Sequence, residues 1–390
     1  MPEALIIDAL RTPFGKRQGA LRETRPDSLL AHTLQGLAQR TGLDPRMIED
    51  VICGTVTQAG EQGANIGRLG VLLAGFPVEV PAVSLNRMCG SSQQAVHFAA
   101  QAVAAGDARC VLACGVESMS RVPMLSDITP GKEFTGFQVL NPALFARHEL
   151  IHQGESAERI ADRWGLRRED VDAFAIASHR RAAVARTAQL NREILPTPGV
   201  DAAGQAITLS HDEGVREQVD PAKLASLATP FRAPGQGIVT AGNASQISDG
   251  ASAVLVAEAE FARTQGWRAR ARFRARVVVG GDPTLQLMAV VPATQRALQR
   301  AGVTMKDIDW FEVNEAFATV VIAWQRELDA DPARLNPWGG AIAHGHPLGA
   351  TGAALMAKML TGLEATGGSL GLQVMCIGHG MATATVVERV

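Results

Sequence analysis

The sequence predicts an α/β fold in which one unit occurs twice. Three observations carry this. Short apolar runs alternate with stretches of helical spacing along the chain, the pattern of sheets covered by helices. Thr41 to Gly54 (TGLDPRMIEDVICG) is echoed by Ala301 to Asn314 (AGVTMKDIDWFEVN), with Gly42 and Ile48 spaced like Gly302 and Ile308. Further on, a turn at Cys89, its helix and a strand to Cys114 are echoed by a turn at His346, its helix and a strand to Cys376.

The elements follow in order. Leu5 to Ala9 is a short strand turning at Arg11-Thr12-Pro13. Pro26-Asp27-Ser28 opens a helix with Leu30, Leu34 and Leu37 on one face, closed near Gly42. Ile48 to Val56 is a strand, and Gly60 to Gly75 holds a helix with Ile66, Leu69 and Leu73 in register. The run Val80 to Leu85 leads as a strand into Cys89, after which Ala95, Val96, Ala99, Ala102 and Val103 recur at helical spacing. Cys110 to Gly115 is a buried strand. Residues 121–153 are irregular, with Pro123, Pro130, Gly131, Gly136 and Pro142. Helices follow at Ser156 to Trp164 and Arg168 to Arg186, then a Pro- and Gly-rich stretch to Gly237. Order resumes at Ile238, and Ala251 to Ala257 is a strand. A helix with Met356, Met359, Leu360 and Leu363 follows His346, and Leu372 to Cys376 is its strand. The halves divide at 1–265 and 266–390, with an inserted loop domain at 120–244 of the kind that covers a site or lines a partner surface.

Composition narrows the function. The 390 residues are 46% hydrophobic with a net charge of -2, so nothing calls for nucleic acid or an anionic membrane. No apolar run reaches the ~18 residues of a membrane span. The 5 cysteines are odd in number and form no C-x-x-C, which argues against a disulfide framework or structural zinc. The N-terminal stretch lacks the layout of a signal peptide, so a reduced, cytoplasmic setting is expected.

Chemistry concentrates in four segments. Cys89 stands at a strand-to-helix turn, where helix N–H groups and the positive end of the macrodipole favour thiolate and can hold an oxyanion. His346 lies between glycine and proline in a turn, placed to enter a cleft. Cys376 supplies a second thiol, and Asn314 an amide or an amide-held water. Two cysteines and a histidine suffice for acyl transfer through a thioester: one thiolate attacks carbon, the imidazole takes its proton, and the other thiol moves a proton to or from carbon.

These segments carry a resemblance. Asn-Arg-Met-Cys89-Gly-Ser-Ser, Asn314-Glu-Ala-Phe, Gly-Gly-Ala-Ile-Ala-His-Gly-His346-Pro-Leu-Gly-Ala-Thr-Gly and Cys376-Ile-Gly-His-Gly closely resemble the signature blocks of the thiolase family. Arg11-Thr-Pro-Phe-Gly, Gly115-Val-Glu-Ser-Met-Ser and Ala241-Gly-Asn-Ala-Ser-Gln-Ile-Ser-Asp-Gly are similar to it too, in order along the whole chain. The resemblance implies the thiolase fold, two α/β halves each with a five-stranded mixed sheet, assembled as a homodimer or homotetramer. It implies thiolytic cleavage of 3-ketoacyl-CoA by CoA to acetyl-CoA and a shortened acyl-CoA, reversible as a Claisen condensation. CoA is then a substrate, no cofactor is bound permanently and no metal is needed. Cys89 would become acylated. His346 would activate it and, with a water held by Asn314, bind the thioester oxygen. Cys376 would be the acid/base at carbon, and the N–H groups of Cys89 and Gly378 a second oxyanion hole. Ser245, Ala316, Phe317 and His152 would line the pantetheine tunnel and Arg216 would meet the nucleotide. Whether a hydratase/dehydrogenase partner is bound stays open.

The chain departs from the pattern at His379, where many members carry Gly or Leu, and at Gln153, where some short-chain members carry Met. His344-x-His346 has no further ligand cluster to make it a metal site. Three alternatives stay open: a short-chain acetoacetyl-CoA enzyme working toward condensation, another condensing enzyme of the superfamily, and a non-catalytic acyl-CoA-binding or scaffold subunit. The presence of Cys376 weighs against the second. The presence of all of Cys89, His346 and Cys376 weighs against the third.

Overall fold

The computed structural model describes residues 2–129 and 136–390. Pro130 and Gly131 of the irregular stretch lie outside the described residues. In the first half, β1 (Ala4–Arg11), β2 (Asp50–Gly54), β3 (Ala82–Leu85), β4 (Cys110–Ser118) and β5 (Ser248–Glu258) form a sheet, with α1 (Pro26–Thr41), α2 (Ile66–Leu73) and α3 (Ser91–Ala105) between strands. The insertion contributes α4 (Gln153–Trp164), α5 (Arg168–Thr187) and a hairpin of Thr197–Val200 with Ala206–Leu209. The second half runs β6 (Ala271–Gly280), α6 (Val290–Ala301), β7 (Trp310–Val313), α7 (Ala318–Leu328), α8 (Leu348–Thr366), β8 (Leu370–Ile377) and β9 (Met381–Arg389).

The strand order is β7-β8-β9-β6-β1-β5-β4-β2-β3, and the two-residue strand Gly15–Lys16 beside β5 completes a continuous sheet of 10 strands. Each half repeats one topology: β2 is parallel to β4 as β7 is to β8, and antiparallel partners follow in both. The halves join edge to edge where Leu5 faces Arg272 and Ile6 faces Ala271.

The expected pair of five-stranded sheets needs one correction. Among the described residues the second half has four strands, because the counterpart of β3 shrinks to a single parallel bridge between Leu335 and Phe311. Asn336 leaves the extended region at φ 43° and Pro337 has no N–H to give a ladder. The Asn336 amide takes over the missing pairing, accepting from Val313 N–H at 2.9 Å and donating to Val313 O at 2.9 Å.

Three apolar clusters account for the layers. Leu30, Leu34 and Leu37 of α1 pack against Val51, Leu112 and Leu255 on the outer face of the first half. Ala293 and Ala297 of α6 and Val320 and Trp324 of α7 do the same for the second half on Phe311, Leu372 and Val386. Between them α3 (Val96, Ala99, Val103) and α8 (Ala353, Met356, Leu360) form the shared interior with Val254 and Trp310. The two helices touch so closely that a Cβ on Gly352 would sit 2.3 Å from the Gln93 nitrogen. Burial of this apolar area is the dominant favourable contribution to folding.

Candidate active site

The inner helices begin at the carboxyl ends of the strands, where ligands of open α/β sheets collect. Neither α3 (Gly90 N-cap) nor α8 (Pro347 N-cap) has a side-chain cap. Cys89 precedes the first and His346 the second, the analogous turns expected from the repeat. The Cys89 turn is held by short contacts. Asn86 Oδ1 accepts from Met88 N–H at 2.7 Å, Ser91 Oγ accepts from Arg87 N–H at 2.9 Å, and Ser91 Oγ donates to Met88 O at 2.6 Å. They keep Met88 at φ 47°, a left-handed conformation costing a non-glycine residue about 1–2 kcal/mol.

Cys89, His346, Gly378, Ser245, Ala316 and Phe317 line one cavity of about 220 Å³, and His152 joins them. Asn314 and Cys376 lie beneath it, 1% exposed each. Asn314 Nδ2 is 3.4 Å from His346 Nε2 and 3.8 Å from Cys376 Sγ, so one amide spans the imidazole and the second thiol. The N–H groups of Cys89 and Gly378 both face the Cys89 sulfur.

The tautomer of His346 follows from its other edge. Thr351 Oγ1 donates to Pro347 O at 2.8 Å, so it accepts from His346 Nδ1–H at 2.6 Å. The Nε2 lone pair is left toward Asn314 and the cavity. Burial holds the His346 pKa down to about 3, which keeps the imidazole a neutral base. Burial pushes Cys376 up to about 11 against the Asn314 amide and the backbone N–H groups that lower it. The Cys89 thiol corrects an expectation. Burial raises it well above its ordinary value, and the charge of Cys376 adds to this, outweighing the N–H groups of Cys89 and Gly378. At rest Cys89 is a thiol, and chemistry at its sulfur needs a base to take the proton.

The remaining expected contacts divide. Ser245 N–H donates to Ala316 O at 2.9 Å, and Ala244 bridges Phe317, joining that wall into one strip. His152 caps α4 by accepting from Gly154 N–H at 3.0 Å and stacks on Phe231 at 4.9 Å. Arg216 is not brought to the cavity; it is exposed, and its N–H donates to His179 Nδ1 at 3.1 Å. His344 turns away from His346, with Nε2 3.3 Å from the Lys358 ammonium, which is paired with Glu312 at 2.7 Å. Among the described residues no group of three or more His, Cys, Asp or Glu could hold a metal ion.

Three supporting residues escaped the sequence reading. Thr351 fixes the imidazole. Glu117, fully buried, accepts N–H bonds from Val56, Thr57 and Gly349 and from the Gln62 amide, fastening the start of α8 to the first half. Glu315 accepts from Ser178 Oγ, Asn336 Nδ2 and Ile342 N–H, tying α5 to the segment before His346. An acid ending the apolar strand CVLACGVES was the available signal for Glu117.

Residues 4–260 match the family model described as thiolase, N-terminal domain, and residues 267–389 the one described as thiolase, C-terminal domain. A steroid 3-ketoacyl-CoA thiolase of Mycobacterium tuberculosis is 45% identical, over 100% of this chain and 95% of its own length. A beta-ketoadipyl-CoA thiolase of Acinetobacter baylyi is 41% identical over 100% of both. The crystal structure of human mitochondrial 3-ketoacyl-CoA thiolase superposes with a TM-score of 0.90 at 31% identity, covering 100% of this chain and 99% of that one. With both domain models matched and full-length relatives of this similarity, the chain belongs to the thiolase family and is an acetyl-CoA C-acyltransferase.

Proposed function

We propose that the protein is a degradative 3-ketoacyl-CoA thiolase working through an acyl-Cys89 intermediate. The observation that carries this is the meeting of Cys89, His346 and the Gly378 N–H at one cavity, with the buried Asn314 amide in reach of both His346 and Cys376. His346 Nε2 takes the Cys89 proton, and the thiolate attacks the C3 ketone. Collapse of the alkoxide breaks the C2–C3 bond. The electron pair passes into the enolate of acetyl-CoA, whose thioester oxygen is held by His346 Nε2–H and a water on Asn314. Cys376 protonates C2. In the second half, the Cys376 thiolate takes the proton of incoming CoA, whose sulfur attacks the Cys89 thioester. The oxyanion lies against the N–H groups of Cys89 and Gly378, and Cys89 leaves, taking back the proton that His346 holds.

Ser245, Ala316, Phe317 and His152 form the pantetheine wall in this reading, and Arg216 meets the nucleotide beyond the cavity. The units are 1–265 and 266–390, with the insertion at 120–244 folded over the site. Met88, Met119 and Met124, adaptable thioethers that tolerate irregular shapes, support a bulky or functionalised acyl tail, the class named for the steroid and beta-ketoadipyl relatives. The outer edge of β3, with Val83, Leu72 and Leu73 exposed beside it, supports a second copy pairing there, and a cytoplasmic location belongs to the same reading. The test is thiolysis of a 3-ketoacyl-CoA series from acetoacetyl-CoA to long and cyclic tails, with intact mass of Cys89. Activity peaking at acetoacetyl-CoA would favour the short-chain alternative. No cleavage and no acylation would overturn the reading in favour of a scaffold subunit.

A further inference from the structure

Two polar side chains of the cavity have no part in this chemistry. Gln153 and His379 both line it, on either side of Gly378. Gln153 Nε2 lies 2.8 Å from where a Cβ on Gly378 would stand, and His379 is the next residue in the chain. Among the described residues neither the Gln153 amide nor the His379 ring nitrogens have a hydrogen-bond partner, and neither group is sealed from the cavity.

Both are nevertheless held in place. His379 sits at φ 59° and ψ 28°, and its N–H donates to Gln286 Oε1 at 2.8 Å. Gln286 Nε2 in turn donates to Ile151 O at 3.1 Å, two residues before Gln153. One buried amide thus fixes the backbone of both polar residues. The rings of Phe137 and His379 meet edge to face, their centroids 5.6 Å apart. Around them the lining is apolar, with Met88, Met124 and Leu125. A plain alkyl tail would strip water from an amide and an imidazole and return nothing, a penalty that a hydrogen-bonding tail avoids.

We propose that Gln153 and His379 are a specificity pair that hydrogen-bonds an oxygen on the acyl tail, a few carbons beyond the C3 ketone. The pair rests on the thiolase reading, since Gly378 N–H marks where the acyl oxygen lies. Burial lowers the His379 pKa, so the ring is neutral and offers one donor and one acceptor. With the Gln153 amide it suits a carbonyl, hydroxyl or carboxylate oxygen.

The experiment measures kcat/KM on three 3-ketoacyl-CoA substrates of equal length, ending in methyl, hydroxyl or carboxylate, for the native enzyme and for His379→Gly, His379→Asn and Gln153→Met. Glycine and asparagine both tolerate the left-handed turn, so the fold is kept. We expect the native enzyme to prefer one oxygen-bearing tail over methyl by about tenfold or more. His379→Gly and Gln153→Met should each cut that ratio by about tenfold, and His379→Asn should keep part of it. Whichever of the hydroxyl and carboxylate arms leads identifies the source of the oxygen. An unchanged ratio in the variants, or an equal loss on all three tails as a pantetheine contact would give, overturns the pair. No cleavage of any tail with Cys89 unacylated overturns the thiolase reading and the pair with it.

Discussion

Thr351 Oγ1 accepts the Nδ1 proton of His346 at 2.6 Å because its own proton is committed to Pro347 O. A single hydroxyl thereby decides which imidazole nitrogen keeps its lone pair. Thr351→Val should leave Nδ1–H unpaired, at about 1–3 kcal/mol of stability. It should also lower kcat by about 10²-fold, a typical general-base contribution. Thr351→Ser should restore most of both. Loss of stability with kcat unchanged would leave Thr351 as packing only.

The pH behaviour follows from the same ring. Folded His346 resists protonation down to about pH 3, whereas in the unfolded chain it takes a proton near its ordinary value of 6.5. Between these values the unfolded chain binds more protons, so stability falls as pH falls from about 6.5 toward 3. Buried His97, also held near 3, acts in the same direction. Melting temperature measured from pH 7 to 4 should drop, and His346→Asn should flatten the slope. Thiolysis should show no acid limb near pH 6.5 from His346; a limb there, matched by an imidazole of the native enzyme titrating at the same pH by NMR and missing from the His346→Asn spectrum, would contradict a neutral buried imidazole.

Glu117 shows what happens when one acid serves four donors. Glu117→Ala should strand the N–H groups of Val56, Thr57 and Gly349 and the Gln62 amide in a dry interior. The loss should be about 3–5 kcal/mol, read as a lower denaturation midpoint. Glu117→Gln, with one oxygen kept, should lose less. Equal stability of both variants and the native chain would show that water replaces the carboxylate.

The two thiols should separate by reaction step. Cys89→Ala should abolish thiolysis and condensation together. Cys376→Ser should still be acylated on Cys89 by acetyl-CoA, seen as the intact-mass gain, while carbon–carbon chemistry falls by about 10³-fold or more. Equal loss of both steps would reject this division.

Much of the site was legible because its residues lie in short local patterns. Cys89 stands between a strand and a helix and His346 between the short helix Ala341–His344 and α8, yet the repeat alone placed them at matching turns. Other elements hid for physical reasons. In β6, Arg272, Arg274 and Arg276 occupy the alternate positions, so a strand reads as a charged stretch. In α7, Thr319, Val320, Val321 and Ile322 are β-branched, and tertiary packing overrides a weak helix preference. Thr351, Glu117 and Gln286 earn their roles from partners distant in sequence or from one rotamer, which no periodicity records. The thiol of Cys89 shows the remaining limit: the helix N-terminus was legible, the burial that outweighs it was not.

The seam at Leu5–Arg272 and Ile6–Ala271 has a consequence for descent. The first half carries Cys89 and the second carries His346 and Cys376, so each half holds only part of the set. Drift in either copy is therefore answerable to the other through the strand register they share. A slip of one residue at that seam would turn the side chains of one edge strand to the opposite face and shift Cys89 against His346.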